Sequence, residues 1–169
     1  TVLIAGLGLM GGSMAKTIKA RTLSRVLGWN RTRATAEQAL ADGSIDAIAT
    51  EALYKEADLV IIGLYPQATV DWLLENMPKM KKGCVIVDMV GVKQFMVDHL
   101  EQAALDAGVH YVGGHPMAGR EFSGLDYSLP TLFDGASMIF VPTKSSTERV
   151  LEQLEAYFMS LGFGQTVRC

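Results

Sequence analysis

Cysteine is scarce: the 169-residue chain has two, Cys84 and Cys169. Neither their number nor their spacing suits a disulfide framework or a metal site, so both are expected to be free thiols and no metal ligand set is assigned. Long apolar runs are missing too. The longest, Leu59-Val60-Ile61-Ile62-Gly63-Leu64-Tyr65, is far short of the roughly 20 residues that a membrane-spanning helix needs. With no signal-peptide pattern at the start, no membrane partner is expected and the cytoplasm is the default location. A basic tract is also absent. The net charge is −3, and the one local cluster, Lys79, Lys81 and Lys82, reads as a turn ahead of a strand, so no nucleic-acid partner is expected.

The chain is rich in glycine, with 17 residues, and several stand where only glycine serves. Thr1-Val2-Leu3-Ile4-Ala5 has the length and apolarity of a strand, and Gly6-x-Gly8-x-x-Gly11 follows it at once. In that pattern Gly6 permits a tight turn, Gly8 lets backbone approach a pyrophosphate, and Gly11 lets the next helix pack on the sheet. Met10, Met14 and Ile18 then recur at helical spacing. A phosphate would sit on the helix N-terminus, held by free amides and the dipole. The turn residues Gly6, Leu7, Gly8, Leu9, Met10 and Gly11 are therefore candidate dinucleotide contacts.

The second strand, Val26-Leu27-Gly28-Trp29, leads to Asn30, Arg31 and Thr32, about twenty residues past the glycines, where the adenosine ribose is read. NAD-binding chains usually place a carboxylate there. Here a guanidinium suited to a 2′-phosphate follows an amide, so NADP is favoured over NAD.

Hydrophobic content of 49% and 20% charge fit one soluble domain spanning 1–169. Beyond the first unit, helices are predicted near 34–42, 51–56, 67–76, 92–107 and 146–161. Strands are predicted near 47–49, 58–64, 84–88, 109–112, 136–141 and 165–168. Apolar strands alternating with amphipathic helices imply an α/β fold of the Rossmann type, doubly wound, with a mainly parallel sheet and helices on both faces. No internal repeat or low-complexity linker interrupts it. The segment 113–134, rich in glycine and proline, is expected to be an irregular functional loop. Ligands in such folds bind beyond the carboxyl ends of the strands, where Leu64, Tyr65, Pro66, Val90 and Gly91 should join the glycine turn and Gly113–Gly119.

Of the three histidines, His99 falls in a helix and His110 opens a strand, and neither is assigned chemistry. His115 follows two glycines and precedes a proline, a setting that allows close approach of a ligand. Its imidazole can take a hydroxyl proton during hydride transfer or merely brace the loop through hydrogen bonds.

Gly6–Ala15 (GLGLMGGSMA), Asp88–Lys93 (DMVGVK) and Gly114–Glu121 (GHPMAGRE) together resemble the nucleotide-binding domain of prephenate dehydrogenases and the related arogenate dehydrogenases. The resemblance covers nearly the whole chain, and GHPMAG is its most specific piece. It implies oxidative decarboxylation in tyrosine biosynthesis, with hydride passing to NAD(P)⁺, His115 as the catalytic residue on the substrate's ring hydroxyl, and Glu121 at the mouth of the site. Gly91 stands where the family often has a serine that supports the ring hydroxyl. The resemblance also implies a C-terminal helical domain, absent from this chain, that closes the site and makes the full-length protein a homodimer. This fragment is accordingly expected to bind cofactor with little or no turnover. Two other readings remain. Gly6–Ala15 and Trp29-Asn30-Arg31-Thr32 also resemble β-hydroxyacid dehydrogenases of the hydroxyisobutyrate type, to which GHPMAG is foreign, and the fold alone permits a non-catalytic NADP-binding domain.

Overall fold

In the computed structural model, which describes residues 1–169, the odd and even positions of each inner strand face opposite ways. In β1 (Val2–Ala5), Val2 and Ile4 enter one core while Leu3 and Ala5 enter another. The same division recurs in β2 (Val26–Trp29) and β4 (Leu59–Ile62), so one sheet separates two apolar layers. Such strands cannot tolerate a wet face, which is why they are apolar throughout.

One layer is covered by α1 (Leu9–Arg21), α2 (Arg33–Ala41) and α6 (Glu148–Ser160), which bury Met14, Ile18, Ala36, Leu151 and Phe158. The other is covered by α3 (Glu51–Tyr54), α4 (Pro66–Asn76) and α5 (Lys93–Ala107), which bury Tyr54, Trp72, Leu73, Met96 and Leu100. The remaining strands are β3 (Ala47–Ile48), β5 (Val85–Asp88), β6 (His110–Pro116), β7 (Ser137–Val141) and β8 (Gln165–Arg168). The eight run in the order β3-β2-β1-β4-β5-β6-β7-β8. All neighbouring pairs are parallel except β6 with β7. The fold is the expected doubly wound α/β sheet.

Chain order reverses between β1 and β4, and at this switch point the strand ends diverge into a crevice. Two glycine segments meet there. A β-carbon on Gly6 would stand 2.6 Å from the Gly63 carbonyl oxygen, and one on Gly11 would stand 1.7 Å from that of Gly6. Gly6 also has φ +95°, a left-handed conformation that favours glycine.

The largest departure from expectation concerns 113–134. Gly113 to Pro116 are not loop but the end of β6, paired antiparallel with β7 in the register Gly113↔Val141 to Pro116↔Met138. A β-carbon on Gly114 would stand 2.3 Å from the Asp88 carbonyl oxygen, so glycine here serves close packing of neighbouring strands. The rest of the segment holds a short 3-10 turn, Leu125–Tyr127, and is tied to α1. The Leu129 amide donates to Ser13 Oγ at 2.9 Å, Thr17 Oγ1 donates to the Pro130 carbonyl at 3.1 Å, and Leu125 lies over Gly12. Other elements differ from their predicted bounds by a few residues at the ends. No helix is long and apolar enough to cross a membrane.

Candidate functional site

The cleft at the switch point has a volume of about 470 Å³ and is lined by Gly6, Gly8, Leu9, Met10, Asn30, Arg31, Gly63, Leu64, Tyr65 and Ala68, with Phe122, Ser123 and Gly124 across from them. Its floor is the start of α1, where Gly8 caps the helix without a side-chain bond and the first turn carries no acid. The leading amides of a helix have no partner within it, so they face the cleft as donors beneath a positive dipole end. Nothing lies within 4 Å of where a Gly8 β-carbon would be, so a ligand can approach the backbone there. These features fit the diphosphate of a dinucleotide, the adenosine end falling toward β2.

Several expected contacts have other duties. Leu7 is fully buried, and its amide donates to Asn30 Oδ1 at 2.9 Å. Asn30 Nδ2 donates in turn to the Thr32 carbonyl at 3.1 Å. Asn30 thus pins the glycine turn to the end of β2, a role its position alone does not reveal. Val90 is also buried, with its side chain in the core and its amide bonded to Asp88 Oδ1 at 2.8 Å, so its side chain does not line the cleft. Arg31 is exposed, lines the cleft and has no carboxylate partner, whereas Arg33 pairs with Glu37 at 3.4 Å. Thr32 caps α2 through its backbone and is exposed; Tyr65 is 85% exposed, and Pro66 opens α4.

His115 stands near the end of β6, beyond Val112, which pairs with Val87 of β5. That places it on the same carboxyl edge of the sheet as the glycine turn. β6 lies three places from β1, about 14 Å at the usual strand spacing, a separation an extended dinucleotide can bridge. Hydrogen bonding sets this histidine apart. His99 Nδ1 lies 2.8 Å from the Phe95 carbonyl and His110 Nδ1 lies 2.6 Å from that of Ser145. The half-buried His115 imidazole makes no hydrogen bond to the protein, so it is not a brace and both ring nitrogens are free for a ligand. It packs instead on Gly91, where a β-carbon would be 3.0 Å from Cε1. A serine at 91 requires the ring to move. Glu121 is exposed in the segment that follows β6.

Sequence reasoning missed two features. The first is the wall Phe122–Gly124, held by stacking of Phe122 on Tyr127 at 4.7 Å and by Arg120, whose Nη1 donates to the Tyr127 carbonyl at 2.7 Å. The second is a buried polar group at the end of β5. Asp88, fully buried, accepts from the Val90 amide and the Lys93 ammonium on Oδ1 and from Tyr111 OH on Oδ2 at 2.7 Å. Burial lowers the pKa of Lys93, opposed by the neighbouring Asp88, and burial beside Asp88 raises that of Tyr111. An aspartate closing an apolar strand, with a lysine five residues on, was the available signal.

A phosphate-ready helix end at the switch point, with a free imidazole farther along the same sheet edge, defines a nucleotide-binding domain of the dehydrogenase class. The family model for the prephenate dehydrogenase nucleotide-binding domain matches residues 14–165. The chain belongs to the prephenate dehydrogenase family. It is 36% identical over 159 residues to the prephenate dehydrogenase of Bacillus subtilis (strain 168), covering 92% of this chain and 43% of that protein. Among solved structures, the Aquifex aeolicus prephenate dehydrogenase in complex with hydroxyphenyl propionate and NAD⁺ superposes with a TM-score of 0.89 at 27% identity, over 99% of this chain and 59% of that one. The Synechocystis arogenate dehydrogenase superposes with a TM-score of 0.89 at 25% identity, over 99% and 59%. The chain thus spans about half the length of such relatives.

Proposed function

We propose that this chain is the nucleotide-binding part of an enzyme that oxidatively decarboxylates prephenate or arogenate with NAD(P)⁺. The observation that carries the reading is the His115 imidazole, free of protein hydrogen bonds and on the same sheet edge as the cleft over Gly8. The cofactor, when bound, accepts a hydride. Gly6, Gly8, Leu9, Met10 and Gly11 would hold its diphosphate through backbone amides and close approach, Arg31 and Thr32 would meet its adenosine end, and Leu64, Tyr65 and Pro66 would flank it. Leu7 and Asn30 act indirectly, by setting the turn. Val90 contributes through the shape of the loop that ends in Gly91.

His115 accepts the proton of the substrate's ring hydroxyl as the ring C–H bond is broken, and the ring carboxylate leaves as carbon dioxide while the ring becomes aromatic. Imidazole suits this role because its ordinary pKa lies near neutral pH. Gly91 sets the depth of the imidazole, and Glu121 stands at the entrance to the site. Arg31 favours NADP⁺ over NAD⁺, since a free guanidinium binds a 2′-phosphate with charge-assisted bonds. The hydroxyisobutyrate-type reading is not favoured, because the family model that matches residues 14–165 is that of the prephenate dehydrogenase nucleotide-binding domain.

The test is turnover by the intact protein of prephenate and arogenate, each with NAD⁺ and with NADP⁺. Reduced cofactor and carbon dioxide in equal amounts are expected. No turnover in any of the four combinations overturns the reading.

A further inference from the structure

Lys93 breaks a local rule. It is the first residue of α5, whose first turn has no acid, so a cation sits where the helix dipole repels it. Its side chain is only 15% exposed, and the partner that holds it there is the fully buried carboxylate of Asp88. A residue that defies its local preference at a half-buried position usually answers to a site.

The side of β6 facing α5 shows which site. Alternate residues of a strand share a face, so Tyr111, Gly113 and His115 form one column. Each member touches the segment from Asp88 to Lys93. Tyr111 OH donates to Asp88 Oδ2 at 2.7 Å. A β-carbon on Gly113 would stand 3.0 Å from Lys93 Cδ, so the lysine stem crosses the strand where a side chain is missing. The His115 ring rests on Gly91, in the loop that Asp88 closes by binding both the Val90 amide and the Lys93 ammonium.

We propose that Lys93 is a positioning residue for His115: clasped by Asp88 and laid across Gly113, it fixes the loop carrying Gly91 at the height that seats the imidazole for proton transfer. Lys93 takes no proton and contacts no substrate in this scheme. This inference rests on the catalytic reading of His115 given above.

The test is a double-mutant cycle in the intact protein. Lys93→Met is expected to lower kcat on the order of tenfold through a displaced imidazole, with cofactor KM changed by less than about twofold. In a His115→Asn background the same substitution is expected to change kcat by less than about twofold, because two residues acting through one group are not additive. The His115 ring signal in ¹H–¹⁵N spectra should shift in Lys93→Met while those of His99 and His110 stay in place. Should Lys93→Met fail to fold, the paired Asp88→Asn/Lys93→Met variant removes both charges, strands neither, and carries the same cycle. Additive losses, or an unmoved His115 signal, overturn the positioning role alone. Full turnover in His115→Asn by itself removes the catalytic reading and this inference with it.

Discussion

Gly91 and His115 touch so closely that a β-carbon at 91 would stand 3.0 Å from the imidazole Cε1 and 3.3 Å from Nδ1. The space beside the ring is filled by the ring itself, leaving none for a side chain at 91. Gly91→Ala is therefore expected to push the imidazole by a few tenths of an ångström and to lower kcat by up to about tenfold, with cofactor affinity nearly unchanged. Steady-state kinetics beside a cofactor titration checks this, and an unchanged kcat would show that the ring position is not critical.

His115→Asn removes the proposed proton acceptor while keeping a polar side chain of similar bulk. A loss of about 10²- to 10⁴-fold in kcat is expected, the usual contribution of a general base. Binding of NAD(P)⁺ should be retained, because the cleft at Gly8 is built by other residues. Equal activity in the variant would remove the assigned role.

Arg31→Ala separates the two cofactors. The guanidinium has no carboxylate partner to satisfy it, so its removal should weaken NADP⁺ by about 10- to 100-fold, the worth of charge-assisted bonds to a phosphate. NAD⁺ affinity should move by less than about threefold, since it carries no charge there to lose. Calorimetric titration of both cofactors reads this directly, and tighter binding of NAD⁺ by the unmutated protein would sink the preference.

Gly11→Ala tests the switch point. Its methyl group would stand 1.7 Å from the Gly6 carbonyl oxygen and 2.8 Å from the Gly6 carbonyl carbon, backbone atoms that cannot swing aside as a flexible side chain would. The variant should lose several kcal/mol of stability, about 2–4, or fail to fold. Gly8→Ala meets nothing within 4 Å and should keep its thermal midpoint while losing cofactor affinity. Equal melting temperatures for Gly11→Ala and the parent would contradict the packing.

Burial pushes the Cys84 thiol up to about 12. Because the shift is upward, the neutral thiol persists through neutral and mildly alkaline pH, and at pH 8 only about one molecule in ten thousand carries the reactive thiolate. Thiol titration of the folded protein at that pH should detect Cys169, which is exposed, and find Cys84 only after denaturation. Rapid modification of both would place Cys84 outside the core.

Much of this architecture was legible along the chain. Apolar strands of four residues such as Val2–Ala5 and Leu59–Ile62 declare burial on both faces, and Gly6, Gly8 and Gly11 declare a turn whose chemistry is backbone chemistry. Local signals failed at Gly113–Pro116. Glycine and proline argue for a loop, yet that stretch is the end of a strand, because the ladder from β7 and the carbonyl of Asp88 against Gly114 outweigh weak propensity. They were silent on a second duty of Asn30, whose position promised a ribose contact and whose amide also ties Leu7 to Thr32.

The order of residues alone determined the sheet, its two apolar layers and the helix end that awaits a phosphate, because periodicity and glycine placement act over a few neighbours. Which groups stand beside His115 was decided only by tertiary structure. Gly91 meets the ring, and the cluster of Asp88, Lys93 and Tyr111 holds the loop that carries Gly91, through pairing of β5 with β6 and the crossing of α5; contacts between strands depend on register, which no short stretch of sequence encodes.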